Sequence, residues 1–436
     1  MRFKSKDIQP SKLTKTISAL ANADGGDIFV GISESKNRLT WDGFDNEEAA
    51  NAHSQVIEQT FPLGANSRVS FLHHQKLSGL VLFIEIEKTP DIRKASDGIA
   101  YLRRGAQSLP QTTNEQILRL SLNKGIHSYE DHSVNNNIEF ISNFEATRAF
   151  MSDVVPFSTA EDWLRKQKLA VDGKPTVAGV MLFSDEPQIE LPKGAIKVYR
   201  YKTNDASGTR DTLAFDPLSI EGNAYSMIYK SVDTIRSIIE SIPIAEAGVL
   251  SKLEYPTEAI HEIITNAVIH RDYIINDDIH VRIFDNRIEV QSPGTLAGHV
   301  TTKNILDERF ARNPKIVRLL NKFKNPPNKD VGEGLNTAFE AMRKLKLKDP
   351  IVEQKDNGLL VLLRHEKLAA PQQLIIDFLR SNEEINNRIA REICFIGSEN
   401  KVKLIFKDMI KSDVIERIPN RSQSKAAYRK GASFPT

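Results

Sequence analysis

Thr257 to His270 read TEAIHEIITNAVIH. In a helix, Glu258, Glu262, Asn266 and His270 fall on one face, because residues four apart are neighbours on its surface. Ile260, Ile263, Ile264 and Ala267 form a separate apolar face. A carboxylate and a carboxamide one turn apart can divide a task. The amide oxygen of Asn266 can ligate a hard cation such as Mg2+, while Glu262 takes a proton from a water aimed at a phosphate. A solvated polar face is the plainer explanation of the same spacing.

The residues that follow add to the first reading. His270-Arg271-Asp272-Tyr273 leaves the helix. Ile279 to Phe284 and Arg287 to Gln291 alternate around Asp285-Asn286, which predicts a β-hairpin. Ser292-Pro293-Gly294 comes next, and Val331-Gly332-Glu333-Gly334-Leu335 runs into a predicted helix over Asn336 to Leu345. Glycines at a helix start let backbone N–H groups approach phosphate oxygens, with the helix dipole assisting. A tight turn would use the same two glycines.

This order of elements resembles the GHKL ATPase superfamily of gyrase B subunits, mismatch-repair ATPases, heat-shock chaperones of the ninety-kilodalton class and histidine kinases. More closely it resembles a divergent branch found in bacterial and archaeal regulators. That branch carries His-Arg-Asp-Tyr, Asn-Pro-Gly and Arg-Asn-Pro, which appear here as His270 to Tyr273, Ser292 to Gly294 and Arg312 to Pro314. The match covers about Pro187 to Arg364. The resemblance implies a Bergerat-type ATP-binding sandwich, with Glu262 as hydrolytic base and Asn266 as Mg2+ ligand. The cofactors would be ATP and Mg2+, bound by Asn266, Ser292, Gly294, Gly332 and Gly334. One position departs from the pattern. Ser292 stands where the superfamily has an Asp that accepts the adenine amino group, and a neutral acceptor makes the weaker hydrogen bond. At most a weak Mg2+-dependent ATPase is expected.

Near the start, Ala21-Asn22-Ala23-Asp24-Gly25-Gly26 leads into Ile28 to Ile32, and Tyr101-Leu102-Arg103-Arg104-Gly105 follows later. Both motifs resemble the Schlafen AlbA-type domain, over about Ser11 to Gln111. Members are regarded as nucleic-acid binders and include RNA-cleaving enzymes. Cleavage needs clustered carboxylates to hold metal. In related domains a Glu-Phe-Lys precedes the first helix, but here the residues are Arg2-Phe3-Lys4. Binding without cleavage is the expectation. Arg103 and Arg104, with Arg2, Lys4, Lys6, Lys12 and Lys15, would contact phosphates. Scattered surface lysines, and a turn merely shaped by Asn22, Gly25 and Gly26, are the alternative.

After Arg364 three short helices are predicted, over Pro371 to Asn382, Ile385 to Phe395 and Glu399 to Asp413, followed by a strand-like Ala426 to Arg429. This resembles a winged helix-turn-helix. The third helix, with Lys403 and Lys407, would face DNA, and Arg421 would lie on the wing. From Arg417 to Thr436 there are five basic residues and no acidic one. A docking or dimerisation unit would present a similar basic face.

Positioning these groups takes several units. At about 150 residues per domain, 436 residues predict roughly three. We expect an α+β, multidomain chain: an AlbA-type domain over 1–124, a linker and middle α/β segment over 125–250, a GHKL ATPase domain over 251–368 and a winged helix over 369–436. In the middle segment Val177 to Phe183 and Ala195 to Tyr201 read as strands, and Ser219 to Ile242 as a long helix. The 59 basic and 57 acidic residues leave a net charge of +2, so attraction to DNA, or to RNA, must be local. The single cysteine, Cys394, excludes an intrachain disulfide framework and multi-thiolate zinc, and fits a cytoplasmic setting. Apolar runs such as Gly79 to Ile84 are too short for a bilayer, and the N-terminus has no apolar signal stretch, so no membrane partner is expected. The function expected is that of a nucleotide-responsive, DNA-binding transcriptional regulator, acting as a homo-oligomer. An ATP-gated nucleic-acid-processing or anti-phage protein and an ATP-dependent scaffold are the alternatives.

Overall fold

A computed structural model describes all residues except 36–37, 58–62, 247–248, 253, 328–333, 356, 367–370, 395, 397, 420–425 and 436, with backbone alone for 243–252. Strands β1 (Arg2–Lys4), β2 (Gly26–Val30), β3 (Ser67–His74) and β4 (Leu77–Ile86) form a sheet in the order β1-β2-β4-β3. Helix α1 (Pro10–Ala21) buries Leu13, Ile17 and Leu20 against Ile28, Val30, Leu82 and Ile84. The turn out of α1 depends on Gly25, at φ +76°, because a side chain there would run into the Ile86 carbonyl. A hairpin of β5 (Ala100–Arg104) and β6 (Gln107–Gln111) and the helix α2 (Asn114–Asn123) complete the N-terminal unit. Thr113 and Gln116 cap α2 reciprocally.

The middle segment begins with α3 (Glu145–Val154), α4 (Ala160–Lys166) and α5 (Val177–Phe183). The last corrects an expectation: Val177 to Phe183 is a helix, not a strand. All seven residues are buried, so no polar period distinguishes the two conformations. The decision lies in Thr176, whose hydroxyl caps the first turn by accepting the Gly179 N–H at 3.2 Å. The expected linker at the start of this segment, about Gly125 to Asn137, is anchored, since Glu130 is fully buried and receives the Lys315 and Ile316 amides.

Next come β7 (Ile196–Arg200), β8 (Leu218–Ile220), α6 (Ala224–Glu240), α7 (Thr257–Ile269), β9 (Ile279–Ile283), β10 (Arg287–Pro293), α8 (Pro314–Leu320), α9 (Leu335–Lys344), β11 (Ile351–Lys355) and β12 (Gly358–Arg364). The expected helix from Ser219 instead starts at Ala224, because Asn223 caps it by accepting the Ser226 N–H at 2.9 Å. Thr257 is the first helical residue of α7, and Pro256 precedes it without a side-chain cap. The strands form one six-stranded sheet, β8-β7-β9-β10-β12-β11, with β7 and β9 parallel. Ile260, Ile263 and Ile264 of α7 share a core with Val281, Ile283, Val290 and Leu363 of the sheet. Sheet and core run across residue 250, since β7, β8 and α6 precede it.

The C-terminal unit comprises α10 (Pro371–Ser381), β13 (Ile385–Asn386), α11 (Asn387–Ile393), α12 (Glu399–Lys411), β14 (Ile415–Arg417) and β15 (Ala427–Lys430). Its small sheet has the order β13-β15-β14, and Ile375, Leu379, Val402 and Phe406 form a core of its own. The chain is thus α+β and multidomain. Among the described residues no helix is long and apolar enough to cross a membrane.

Candidate nucleotide-binding site

Helix α7 turns its isoleucines into the core, which leaves Glu262 and Asn266 on the opposite side, lining a cavity of about 770 Å3. That volume lies in the range of small-molecule and cofactor pockets. The Asn266 side-chain N–H donates to Glu262 Oε1 at 2.7 Å. This bond commits the nitrogen of Asn266 and leaves its Oδ1 for a cation. Burial raises the Glu262 carboxyl above the usual range, and the Asn266 hydrogen bond offsets part of that rise. A raised carboxylate is the better proton acceptor from water. Glu258 and His270 line the same cavity. Burial, with the Arg312 guanidinium nearby, pushes the His270 imidazole down to about 4, so it is neutral at pH 7.

The end of β10 supplies the facing wall. Ser292 is buried, and its hydroxyl donates to the Ala267 carbonyl at 2.8 Å. Its proton is therefore committed while its oxygen can still accept. Gly294 sits at φ +106°, and a Cβ there would lie 2.6 Å from the Cβ of Asp272. Gly334, at φ +42°, precedes α9 at the rim of the cavity. Gly332 lies outside the described residues. Among the described residues no group of three His, Cys, Asp or Glu side chains could hold a metal ion. Mg2+ keeps several waters and takes few protein ligands alongside phosphate oxygens. Asn266 fits as one such ligand.

The motif residues flanking the cavity are braces. Arg271 is buried and donates to the carbonyls of Lys193, Ile275 and Asp277. Arg312 pairs with Asp272 and donates to the Thr295 carbonyl. Asn313 donates to the carbonyls of Ile269 and Arg271, each at 2.9 Å. These bonds hold the start of α8 against the end of α7. A further wall runs from Thr295 to Arg312 and includes Leu296, Val300 and Phe310, and of these residues only Arg312 stood out in the sequence. The stretch from Thr295 to Ala311 has neither helical nor strand period.

The cations expected to meet nucleic acid divide between two units. Arg103 donates to Ser108 at 3.4 Å and Arg104 is exposed on the same hairpin. Lys6 and Lys15 are paired with Asp42 and Asp97. Asn22 is buried and ties α1 to the Arg93 and Tyr101 carbonyls, so its role is to hold the hairpin. On α12, Lys403 pairs with Glu399 at 2.6 Å, and Lys407 is exposed. Arg421 lies outside the described residues.

Residues 1–112 match the family model described as "Schlafen, AlbA_2". Residues 276–363 match the one described as "Putative ATP-dependent DNA helicase recG C-terminal". The second span begins after α7, so it includes Ser292, Gly294, Gly332 and Gly334 but not Glu262 or Asn266. No curated protein matches the chain. The crystal structure of the DIP2311 protein from Corynebacterium diphtheriae aligns with 99% of this chain and 91% of its own, at 17% identity and a TM-score of 0.46. The chain joins an N-terminal Schlafen AlbA_2 domain to a GHKL-like ATPase domain of the second described family.

Proposed function

We propose that this protein binds ATP with Mg2+ in the cavity beside α7 and uses nucleotide occupancy to regulate its binding to DNA, as a transcriptional regulator. The carrying observation is that Glu262, Asn266, Ser292, Gly294 and Gly334, far apart in sequence, line one cavity of nucleotide size. Asn266 Oδ1 would be the protein ligand to Mg2+, and Glu262 the base for slow hydrolysis. Bound Mg2+ would neutralise phosphate charge. Ser292 would accept the adenine amino group, and Gly332 and Gly334 would offer backbone N–H groups to the phosphates.

The six-stranded sheet carrying α6, α7 and α9 supports a Bergerat-type sandwich. Three helices with the β13-β15-β14 sheet support a winged helix, with α12 as its recognition helix. Lys403, Lys407 and Arg421 there, and Arg103 and Arg104 of the N-terminal domain, would contact phosphates. A test is fluorescence anisotropy with labelled duplex DNA, with and without Mg2+ and a non-hydrolysable ATP analogue. The proposal expects DNA affinity to change about fivefold or more, as for a typical coupling between sites. Unchanged affinity at saturating nucleotide would contradict the regulatory reading.

A further inference from the structure

We infer that the AlbA domain completes the wall of the nucleotide cavity, and that Lys88 is the positioning residue that couples that cavity to the nucleic-acid face. The inference rests on the ATP reading above. Lys88 follows β4 of the N-terminal domain and is buried. Its ammonium donates to the Leu296 carbonyl at 2.8 Å and the Val300 carbonyl at 3.1 Å, and lies 3.4 Å from an Asp24 carboxylate oxygen. An ammonium has three protons to donate, and these three acceptors match them. Two of the three belong to residues that line the cavity.

The same wall is held at three more points, by Asn123 at the end of the N-terminal unit and by Gly125 and Ser128 just after it. The Gly298 N–H donates to the Asn123 carbonyl at 3.0 Å. The Phe310 ring packs on Gly125 and Gly298 so closely that a side chain at either would collide with it. Ser128 donates to the Arg312 carbonyl at 2.9 Å. The wall therefore cannot shift around a ligand without loading these contacts.

From Lys88 a bonded path continues to the basic hairpin. Thr89 donates its hydroxyl to the Ala21 carbonyl at 3.0 Å. The next residue, Asn22, donates to the Arg93 and Tyr101 carbonyls and accepts the Arg93 N–H. Tyr101 lies in β5, the strand that carries Arg103 and Arg104. Packed and hydrogen-bonded chains of this kind can carry energetic coupling, and coupling in binding is reciprocal. The Lys88 ammonium bonds two wall carbonyls directly, so it is a point at which to cut the path.

Hydrogen–deuterium exchange of the full chain, with and without Mg2+ and a non-hydrolysable ATP analogue, tests this. In the wild type, nucleotide should slow exchange in α7 and in residues 295–312, and also in 89–104, by about fivefold or more at the most affected amides. Lys88→Met, similar in length but without donors, should lower the protection of 89–104 far more than that of α7. Lys88→Arg should restore it. Should Lys88→Met fail to fold, Asp24→Ala removes the carboxylate that holds the Lys88 ammonium and accepts the Gln354 amide, and should weaken the remote protection. Wild-type protection confined to the cavity elements would overturn the inference, as would equal remote protection in wild type and folded variants. No protection in α7 or 295–312 would instead overturn the nucleotide reading, and the inference with it.

Discussion

Arg312 and Asp272 form an ion pair at 3.4 Å with side chains only 6% and 5% exposed, and this pair locks the start of α8 to the turn after α7. Removing one member of a buried pair leaves the other charge without compensation, at a cost of about 3–5 kcal/mol. Asp272→Ala should therefore destabilise the protein by about that much, because Arg312 would keep only its bond to the Thr295 carbonyl. Denaturant unfolding measures it. A change in stability below about 1 kcal/mol would show that the pair is not a brace.

Glu262 and Asn266 share a hydrogen bond but should separate in their effects. A base acts on water only in the transition state, whereas a metal ligand also holds the ground state. Glu262→Ala should keep nucleotide affinity within a few fold and lower any hydrolysis by about 100-fold or more. Asn266→Ala should weaken Mg2+-nucleotide binding itself by about tenfold or more. Phosphate release and calorimetry on the two variants distinguish these outcomes, and wild-type turnover by Glu262→Ala would remove the base assignment.

His270 predicts a pH dependence. Its folded value of about 4 lies below the ordinary 6.5, so the unfolded chain binds the proton more readily between the two. This group's contribution to stability is present above pH 6.5 and falls away as the pH drops through about 4. Glu130, raised to about 7 by burial, acts in the opposite direction, so the informative quantity is wild type minus variant. His270→Asn should lower the dependence of Tm on pH across 6.5 to 4. Parallel curves would contradict the half-buried, neutral assignment.

DNA binding should depend on local charge, since the whole chain carries only +2. Val402, Phe406 and Met409 of α12 face the core, while Lys403 and Lys407 are exposed. Replacing both lysines with Glu should cut duplex affinity by about tenfold or more. It should also lower the salt slope by about 0.9 log units per log salt for each phosphate that is no longer neutralised. Equal slopes for wild type and variant would move the DNA-binding surface to the N-terminal domain.

Much of the lining of the cavity was legible in the sequence because its parts are local. The Glu262 and Asn266 spacing needs only a helix, the hairpin announces itself through Asp285-Asn286, and Gly294 through its dipeptide with Pro293. The identity of α5 was not legible, because Val177 to Phe183 is apolar without a period and only the Thr176 cap decides it. The wall from Thr295 to Arg312 was not legible either. It is held by interactions distant in sequence, such as Lys88 to Leu296 and Gly125 to Phe310, which no local pattern encodes. For the same reason Arg312 and Asn313 read as parts of a site motif, whereas their bonds make them braces.

The central claim is that the cavity beside α7 is an ATP site. Isothermal calorimetry of the full chain with a non-hydrolysable ATP analogue, in the presence and absence of Mg2+, tests it most directly. The account predicts saturable binding at one site per chain, with affinity that falls about tenfold or more when Mg2+ is removed or Asn266 is replaced by Ala. No binding heat and no thermal stabilisation at millimolar nucleotide would contradict it.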